Sequence, residues 1–129
     1  MGELDKSTPI DKVIAQEMVS AYGVDAKSIN DQAYTKAVWF PADQILEIAQ
    51  KINDGKHDGL RIYFAKYITA SEDEIPVSHR GRNTVLLVPT FGANQTNRLG
   101  ALTELHEDDT EDIQNRGTLC PTMCDGVEL

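Results

Sequence analysis

The two cysteines of the chain, Cys120 and Cys124, lie four residues apart in the C-terminal stretch NRGTLCPTMCDGVEL. Two sulfurs at this spacing can approach one cation, but a zinc ion takes four ligands. A third ligand such as His106 would have to come from outside the pair, and no second cysteine pair or paired-histidine motif follows. We therefore expect no resident cofactor, and a zinc or iron site on Cys120, Cys124 and His106 is the alternative.

Three further interpretations of the cysteine pair remain open. Pro121 can start a helix after Cys120, and the positive end of that helix would lower the pKa of the thiol and favour redox chemistry. A disulfide would close a very small loop and is disfavoured in a reducing cytosol. Two free thiols that cover the edge of the core are the simplest alternative, since an unpaired cysteine behaves as a small apolar residue.

A second candidate site is the acidic stretch HEDDTED. It fails as an EF-hand calcium loop, because Ile113 stands where that loop needs glycine and Leu119 stands where it needs glutamate. The stretch instead predicts a solvated acidic face that keeps the protein soluble or, in the leading functional hypothesis, recognises a basic protein partner. The residues predicted to bind that partner are Glu107, Asp108, Asp109, Glu111 and Asp112.

A third candidate is the basic stretch SHRGR between two predicted strands. His79, Arg80 and Arg82 could hold a phosphate or a carboxylate through charge-assisted hydrogen bonds. The acidic residues of SEDEIP, in the same connection, offer these cations an internal alternative.

Charge is distributed unevenly along the chain, which has a net charge of −9 over 129 residues. The last 27 residues hold one arginine against eight carboxylates, while the rest is nearly balanced. Such a tail repels nucleic acid and anionic membranes. The polar N-terminus resembles no signal peptide, and no apolar run is long enough to span a bilayer, so we expect a cytoplasmic protein.

The apolar pattern predicts two helices and three strands. One helix covers STPIDKVIAQEMVSAYG and ends at Gly23, with its apolar stripe in the core; the other covers PADQILEIAQKINDG. Residues 25–32 are predicted to be loop. The strands are 33–40, 59–68 and 83–90, and the last two are predicted to form an antiparallel hairpin with a long connection.

These elements indicate an α+β fold in a single domain, 1–129. The order strand, helix, strand over 33–68 allows a parallel crossover. We predict a small mixed β-sheet of three to four strands with both helices packed on one face. The ordered core is expected over about 8–91, followed by an irregular acidic C-terminal segment over about 92–129.

Three blocks carry a resemblance: WFPADQILEIAQKI with DGLRIYFAKY, then RGRNTVLLVPT, then NRGTLCPTMC. On these, the chain resembles small bacterial proteins of the Bacteroidetes type that end in a cysteine pair, over about residues 34–124. The resemblance implies a compact stand-alone domain, and it implies no activity.

The sequence favours a non-enzymatic binding module over an enzyme. No nucleotide-binding, hydrolase or metalloprotease motif is present in the sequence, and no carboxylate pair is placed as an acid–base couple. The leading hypothesis is an inhibitor-like or immunity-like module whose acidic surface binds a basic protein partner. The alternative is a small metal- or thiol-dependent protein that uses Cys120 and Cys124.

Overall fold

The computed structural model describes residues 9–68, 79–96, 99–102, 104–120, 126 and 129. Two helices and five strands lie in this part of the chain, and we number them in chain order. They are α1 (Lys12–Asn30), β1 (Ala37–Trp39), α2 (Ala42–Ile52), β2 (His57–Lys66), β3 (Asn83–Phe91), β4 (Glu107–Asp108) and β5 (Thr118–Cys120). Neither described helix combines the length and the apolarity needed to cross a lipid bilayer.

Helix α1 is longer than the sequence predicts. Asp11 caps it by accepting hydrogen bonds from the backbone N–H groups of Val13 and Ile14, and the helix continues past Gly23 to Asn30. The predicted helix end at Gly23 is wrong, because this glycine lies inside the helix and makes a close contact with another residue. A Cβ atom at Gly23 would lie 3.1 Å from the hydroxyl oxygen of Tyr34, so only a glycine lets the helix approach that ring closely.

The apolar stripe of α1 is not part of the core, contrary to the sequence interpretation. Met18 is 57% exposed, and Val13, Ile14 and Tyr22 are exposed to a similar degree. The helix is held near its C-terminal half, where Gly23 meets Tyr34 and the Lys27 ammonium lies 5.0 Å from the centre of the Tyr34 ring. Among the described residues, the N-terminal half therefore has no packing partner that would bury its apolar surface.

Helix α2 agrees with the sequence prediction. Pro41 occupies the N-cap, Asp43 lies in the first turn and Lys51 in the last, an arrangement that favours the helix dipole. The helix packs on β2 and β3. Ile48 is its buried residue and anchors it to the sheet.

Strands β2 and β3 form the predicted antiparallel hairpin, which is the centre of the fold. The register pairs Ile62 with Leu87 and Phe64 with Val85 on one face, and Arg61 with Val88 on the other. Residues 69–78 of the connection lie outside the described residues. The run from Leu87 to Phe91 is buried, whereas Val85 and Leu86 at the start of the apolar stretch are only half-buried.

The α+β class is confirmed, but the strand pairing differs from the predicted mixed sheet. The described strands form a three-stranded sheet in the order β2-β3-β4 and a separate two-stranded sheet of β1 with β5, and all three pairings are antiparallel. Within the described chain, β1 pairs with β5 rather than in parallel with β2. Backbone hydrogen bonds from β1 are satisfied by a segment some 80 residues away, which the local pattern cannot reveal.

The C-terminal segment belongs to the core rather than forming only an irregular tail. It supplies β4 and β5, and Leu119 in β5 is 0% exposed. Gly117 makes this packing feasible, because a Cβ atom there would lie 2.2 Å from Val38 Cγ1 and 2.9 Å from Phe40 Cζ. The backbone at Gly117 thus lies directly against the side chains of Val38 in β1 and Phe40 just after it.

Candidate functional site

One cluster of ionisable side chains centres on His57 at the start of β2. Its Nδ1 lies 2.8 Å from Asp54 Oδ2 and its Nε2 lies 2.9 Å from Asp109 Oδ2, and the ring stacks on Phe91 at 4.7 Å between ring centres. The side chains of His57 and Asp109 are 6% and 4% exposed. The imidazole is therefore held between two carboxylates, one on each ring nitrogen.

Asp54 accepts more than the imidazole contact. The backbone N–H groups of Lys56 and His57 donate to its Oδ1 at 2.8 and 2.9 Å. Partial desolvation acts to raise the pKa of Asp54, but these N–H groups and the His57 ring outweigh it and lower the pKa to about 2. Asp54 is therefore an anchor for the turn that leads into β2.

The other acidic residues of this region also have internal partners. Arg61 Nη1 lies 2.6 Å from Asp108 Oδ1, and the hydroxyl of Tyr63 donates to Asp108 Oδ2. Lys51 Nζ lies 2.9 Å from Asp112 Oδ2, an oxygen that accepts no other hydrogen bond within the described structure. Asp108 is thus bonded to β2 and Asp112 to α2, so these two carboxylates attach the acidic stretch to the rest of the fold.

His106, one of the predicted metal or redox residues, is also paired. Its Nδ1 lies 2.5 Å from Asp58 Oδ2, and Asp58 Oδ1 accepts from the Thr90 hydroxyl at 2.6 Å. Desolvation acts to raise the pKa of Asp58, and the hydrogen bonds from Thr90 and His106 lower it below its ordinary value. The contact connects the turn before β4 to the start of β2.

Of the five residues predicted to bind a partner, the structure brings three to basic side chains. Asp109 is buried on His57, and Asp108 and Asp112 are half-buried on Arg61 and Lys51. Glu111 is exposed, and Glu107 is half-buried in β4. The acidic stretch therefore offers solvent much less charge than its composition indicates.

The predicted anion site is divided between buried and exposed residues. Arg82 is buried and donates from Nε and Nη2 to the carbonyl oxygen of Tyr34 at 3.0 and 2.7 Å. His79 is buried beside the Tyr67 ring, where desolvation and the nearby Arg82 charge lower its pKa. Arg80 alone of the three is exposed. The three predicted anion-binding residues therefore do not form one exposed cluster, because the Arg82 guanidinium is buried and bonded to the backbone of Tyr34.

Cys120 is buried in β5 and is disulfide-bonded. The only other cysteine in the sequence, Cys124, lies outside the described residues. This result departs from the expectation that a disulfide is disfavoured. Within the described part of the chain, no group of three or more histidine, cysteine, aspartate or glutamate side chains is arranged to hold a metal ion.

A smaller concavity of about 590 Å³ has Asn115 in its lining. The Asn115 amide donates to the Val85 carbonyl at 2.6 Å and to the Thr84 hydroxyl at 3.2 Å, and its oxygen accepts from the Tyr67 hydroxyl at 2.6 Å. These hydrogen bonds of Asn115 join the C-terminal segment to the hairpin.

A larger concave surface among the described residues is a groove of about 1200 Å³ between α1, the β1 segment, α2 and one face of the β2–β3 hairpin. We call it the apolar groove. Aliphatic and aromatic side chains dominate its lining: Met18, Val19, Tyr22, Val38, Phe40, Ile45, Leu60, Ile62, Phe64, Val85 and Leu87. Phe64 is 92% exposed and Ile62 is 54% exposed, so the floor is open to solvent along β2.

Charge in the groove differs from charge on the chain as a whole. Its described lining includes two lysines, Lys36 and Lys66, and no acidic residue. Alternation along β2 puts Lys66 on the same face as Ile62 and Phe64. Lys66 pairs in register with Asn83, whose carbonyl accepts from the Thr35 hydroxyl, so Lys36 and Lys66 share one end of the groove.

Sequence reasoning missed the groove because it assigned these apolar residues to the core. One signal was visible: Lys66 continues the alternation of Leu60, Ile62 and Phe64, and Lys36 precedes Val38 by the same two-residue step. A lysine in phase with an apolar face indicates that the face reaches solvent at that end.

Comparisons of the chain with models of protein families, with curated proteins and with solved structures find no match.

Proposed function

We propose that the protein is a non-enzymatic binding module whose site is the apolar groove, and that the groove binds the apolar chain of a small molecule. The observation that carries the proposal is the exposure of Phe64 and Ile62 on the floor of a groove of about 1200 Å³. Burying one such side chain is worth about 1.5–3 kcal/mol. A ligand that covers both would gain that free energy, and large exposed apolar patches commonly mark binding sites.

The orientation of the sheet supports a small molecule over a peptide. The floor is a face of the hairpin, and a sheet face presents side chains, because the backbone N–H and C=O groups point within the sheet toward neighbouring strands. A peptide lying on this floor would find few partners for its own N–H and C=O groups, which costs free energy when they are buried. A hydrocarbon chain has no such groups.

Binding of Nile red, an uncharged dye that fluoresces in apolar surroundings, tests the proposal. We expect saturable binding at one site, weakened about tenfold in Ile62→Ser/Phe64→Ser, because this variant removes apolar area from the floor. Ile29→Ser is the matched control, since Ile29 is 86% exposed on α1 and outside the groove. Absence of saturable binding, or equal weakening by the control, contradicts the proposal.

A second copy of the chain is the main competing occupant of the groove. In that case light scattering would give a dimer mass, and Phe64→Ser would convert the dimer to a monomer. A monomeric wild type that binds the dye supports the small-molecule site instead.

The hypothesis that an acidic surface recognises a basic protein partner stays a prediction. The internal partners of Asp108, Asp109 and Asp112 favour a structural role for those residues. Glu111 is the exposed member of the set, and its replacement by glutamine together with Glu107 would abolish salt-sensitive binding to a basic protein if such binding exists. The metal- or thiol-dependent alternative also stays a prediction, with elemental analysis of the purified protein as its test.

A further inference from the structure

Lys36 and Lys66 lie at one end of the apolar groove, so a ligand with one anionic end would bind there in one orientation. Neither the Lys36 nor the Lys66 side chain has an ion-pair partner within the described part of the chain, whereas Lys51, Arg61, His57 and His106 all have one. In a protein with 21 acidic residues, a lining whose described residues include two lysines and no carboxylate is a local reversal of charge. An anion entering at this end would meet two uncompensated ammonium groups.

The apolar part of the groove leads away from this charged end. From Lys66, the same face of β2 continues through Phe64 and Ile62 to Leu60. Six residues of extended strand span about 20 Å, which is comparable to a long unbranched acyl chain. The groove therefore presents two cations at one end and a continuous apolar track behind them.

From this arrangement we propose that the ligand is a single-chain amphiphile with an anionic head, of the fatty-acid class. Its carboxylate lies between the ammonium groups of Lys36 and Lys66, and its hydrocarbon chain lies along Phe64 and Ile62. This inference rests on the proposed function, because it assigns a ligand class to the same groove. Charge complementarity sets the specificity, and apolar contact supplies most of the affinity.

Displacement of Nile red by two amphiphiles of equal chain length tests the ligand class. Dodecanoate and dodecyltrimethylammonium, both kept below the concentration at which they form micelles, carry opposite charges on the same tail. We expect dodecanoate to displace the dye at a concentration about tenfold lower, which corresponds to about 1.4 kcal/mol of preference for the anionic head.

Lys36→Gln/Lys66→Gln separates this inference from the proposed function. The variant should still bind Nile red as the wild type does, and it should lose the preference for dodecanoate. Lys56→Gln/Arg80→Gln removes the same charge at exposed positions outside the groove and should keep the preference. Equal displacement by both amphiphiles, or a preference that survives in Lys36→Gln/Lys66→Gln, contradicts the ligand class. Saturable dye binding would in that case still support the apolar groove as a binding site.

Discussion

His57 Nε2 lies 2.9 Å from Asp109 Oδ2, and this contact joins the first residue of β2 to the acidic stretch 52 residues later. Both side chains are almost fully buried. A buried charge that loses its partner is strongly destabilising, whereas loss of both partners is much less so. The contact therefore explains why an acidic sequence in the C-terminal segment folds back against the sheet.

Loss of either partner of this contact should destabilise the protein. We expect His57→Gln and Asp109→Asn each to lower the free energy of unfolding by about 3 kcal/mol, and the double variant to lower it by clearly less than the sum. Urea denaturation measures all three. His106→Gln is the control: the His106 side chain is 55% exposed, so its ion pair with Asp58 should contribute less than about 1 kcal/mol. A His57→Gln variant as stable as His106→Gln would contradict the structural role of His57.

Acid should remove the stabilisation that Asp54 supplies. Its pKa is about 2 in the folded protein, below the value near 3.9 of an unfolded chain, so the ionised form favours folding. This contribution is present above pH 4 and is lost as the pH falls from about 4 to about 2. Asp54→Asn should therefore be less stable than the wild type at pH 5, and the difference should shrink toward pH 2.

Unfolding by urea at several pH values between 5 and 2 checks this prediction. Asp25→Asn is the matched control, because the exposed Asp25 side chain has no polar contact within the described structure. A stability difference for Asp54→Asn that does not change with pH would rule out the proposed role of its carboxylate.

Gly117 should tolerate no side chain. A Cβ atom 2.2 Å from Val38 Cγ1 requires the backbone or the β1 side chains to move. We expect Gly117→Ala to lower the free energy of unfolding by about 1–3 kcal/mol or more, as overpacking does. At Gly59 the nearest atom to a new Cβ is Thr90 Oγ1 at 3.7 Å, an ordinary contact. Gly59→Ala should therefore be much less destabilised, and equal denaturation curves for the two variants would contradict the close packing at Gly117.

Arg82 should act in stability rather than in anion binding. Arg82→Gln leaves the Tyr34 carbonyl without its charged donor, so we expect a loss of about 2–3 kcal/mol. Arg80→Gln, two residues away on an exposed side chain, should change stability by less than about 0.5 kcal/mol. Thermal and urea denaturation compare the two. Phosphate that stabilised the wild type but not Arg82→Gln would restore the anion-binding interpretation.

Local patterns predicted those elements whose causes are local. Helix α2 and the β2–β3 hairpin follow from apolar periodicity, Pro41 and the β-rich runs, and the structure has them close to the predicted bounds. The end of α1 could not be predicted in this way. A glycine near the middle of a helix usually indicates its end, but Gly23 is kept by a contact with Tyr34, eleven residues later.

The candidate site was harder to predict because its partners are distant in the sequence. The acidic stretch was recognised, but Lys51, His57 and Arg61 are the residues that neutralise it, and pairing with them depends on the sheet register. The apolar residues of α1 and β2 have the spacing of a core face, and that spacing is the same whether the face is buried or exposed. Only the fold shows that α1 is attached near its C-terminal half and leaves Met18 and Phe64 exposed.

Methyl NMR of the protein labelled at methionine and isoleucine, titrated with dodecanoate, tests the central claim most directly. We predict that the methyl signals of Met18, Ile45 and Ile62, which line the apolar groove, shift together and saturate. The signals of Ile10 and Ile29 should stay unchanged, although both side chains are exposed, because they lie outside the groove. Unchanged groove signals, or shifts of equal size at Ile10 and Ile29, would contradict the assignment of the groove as the binding site.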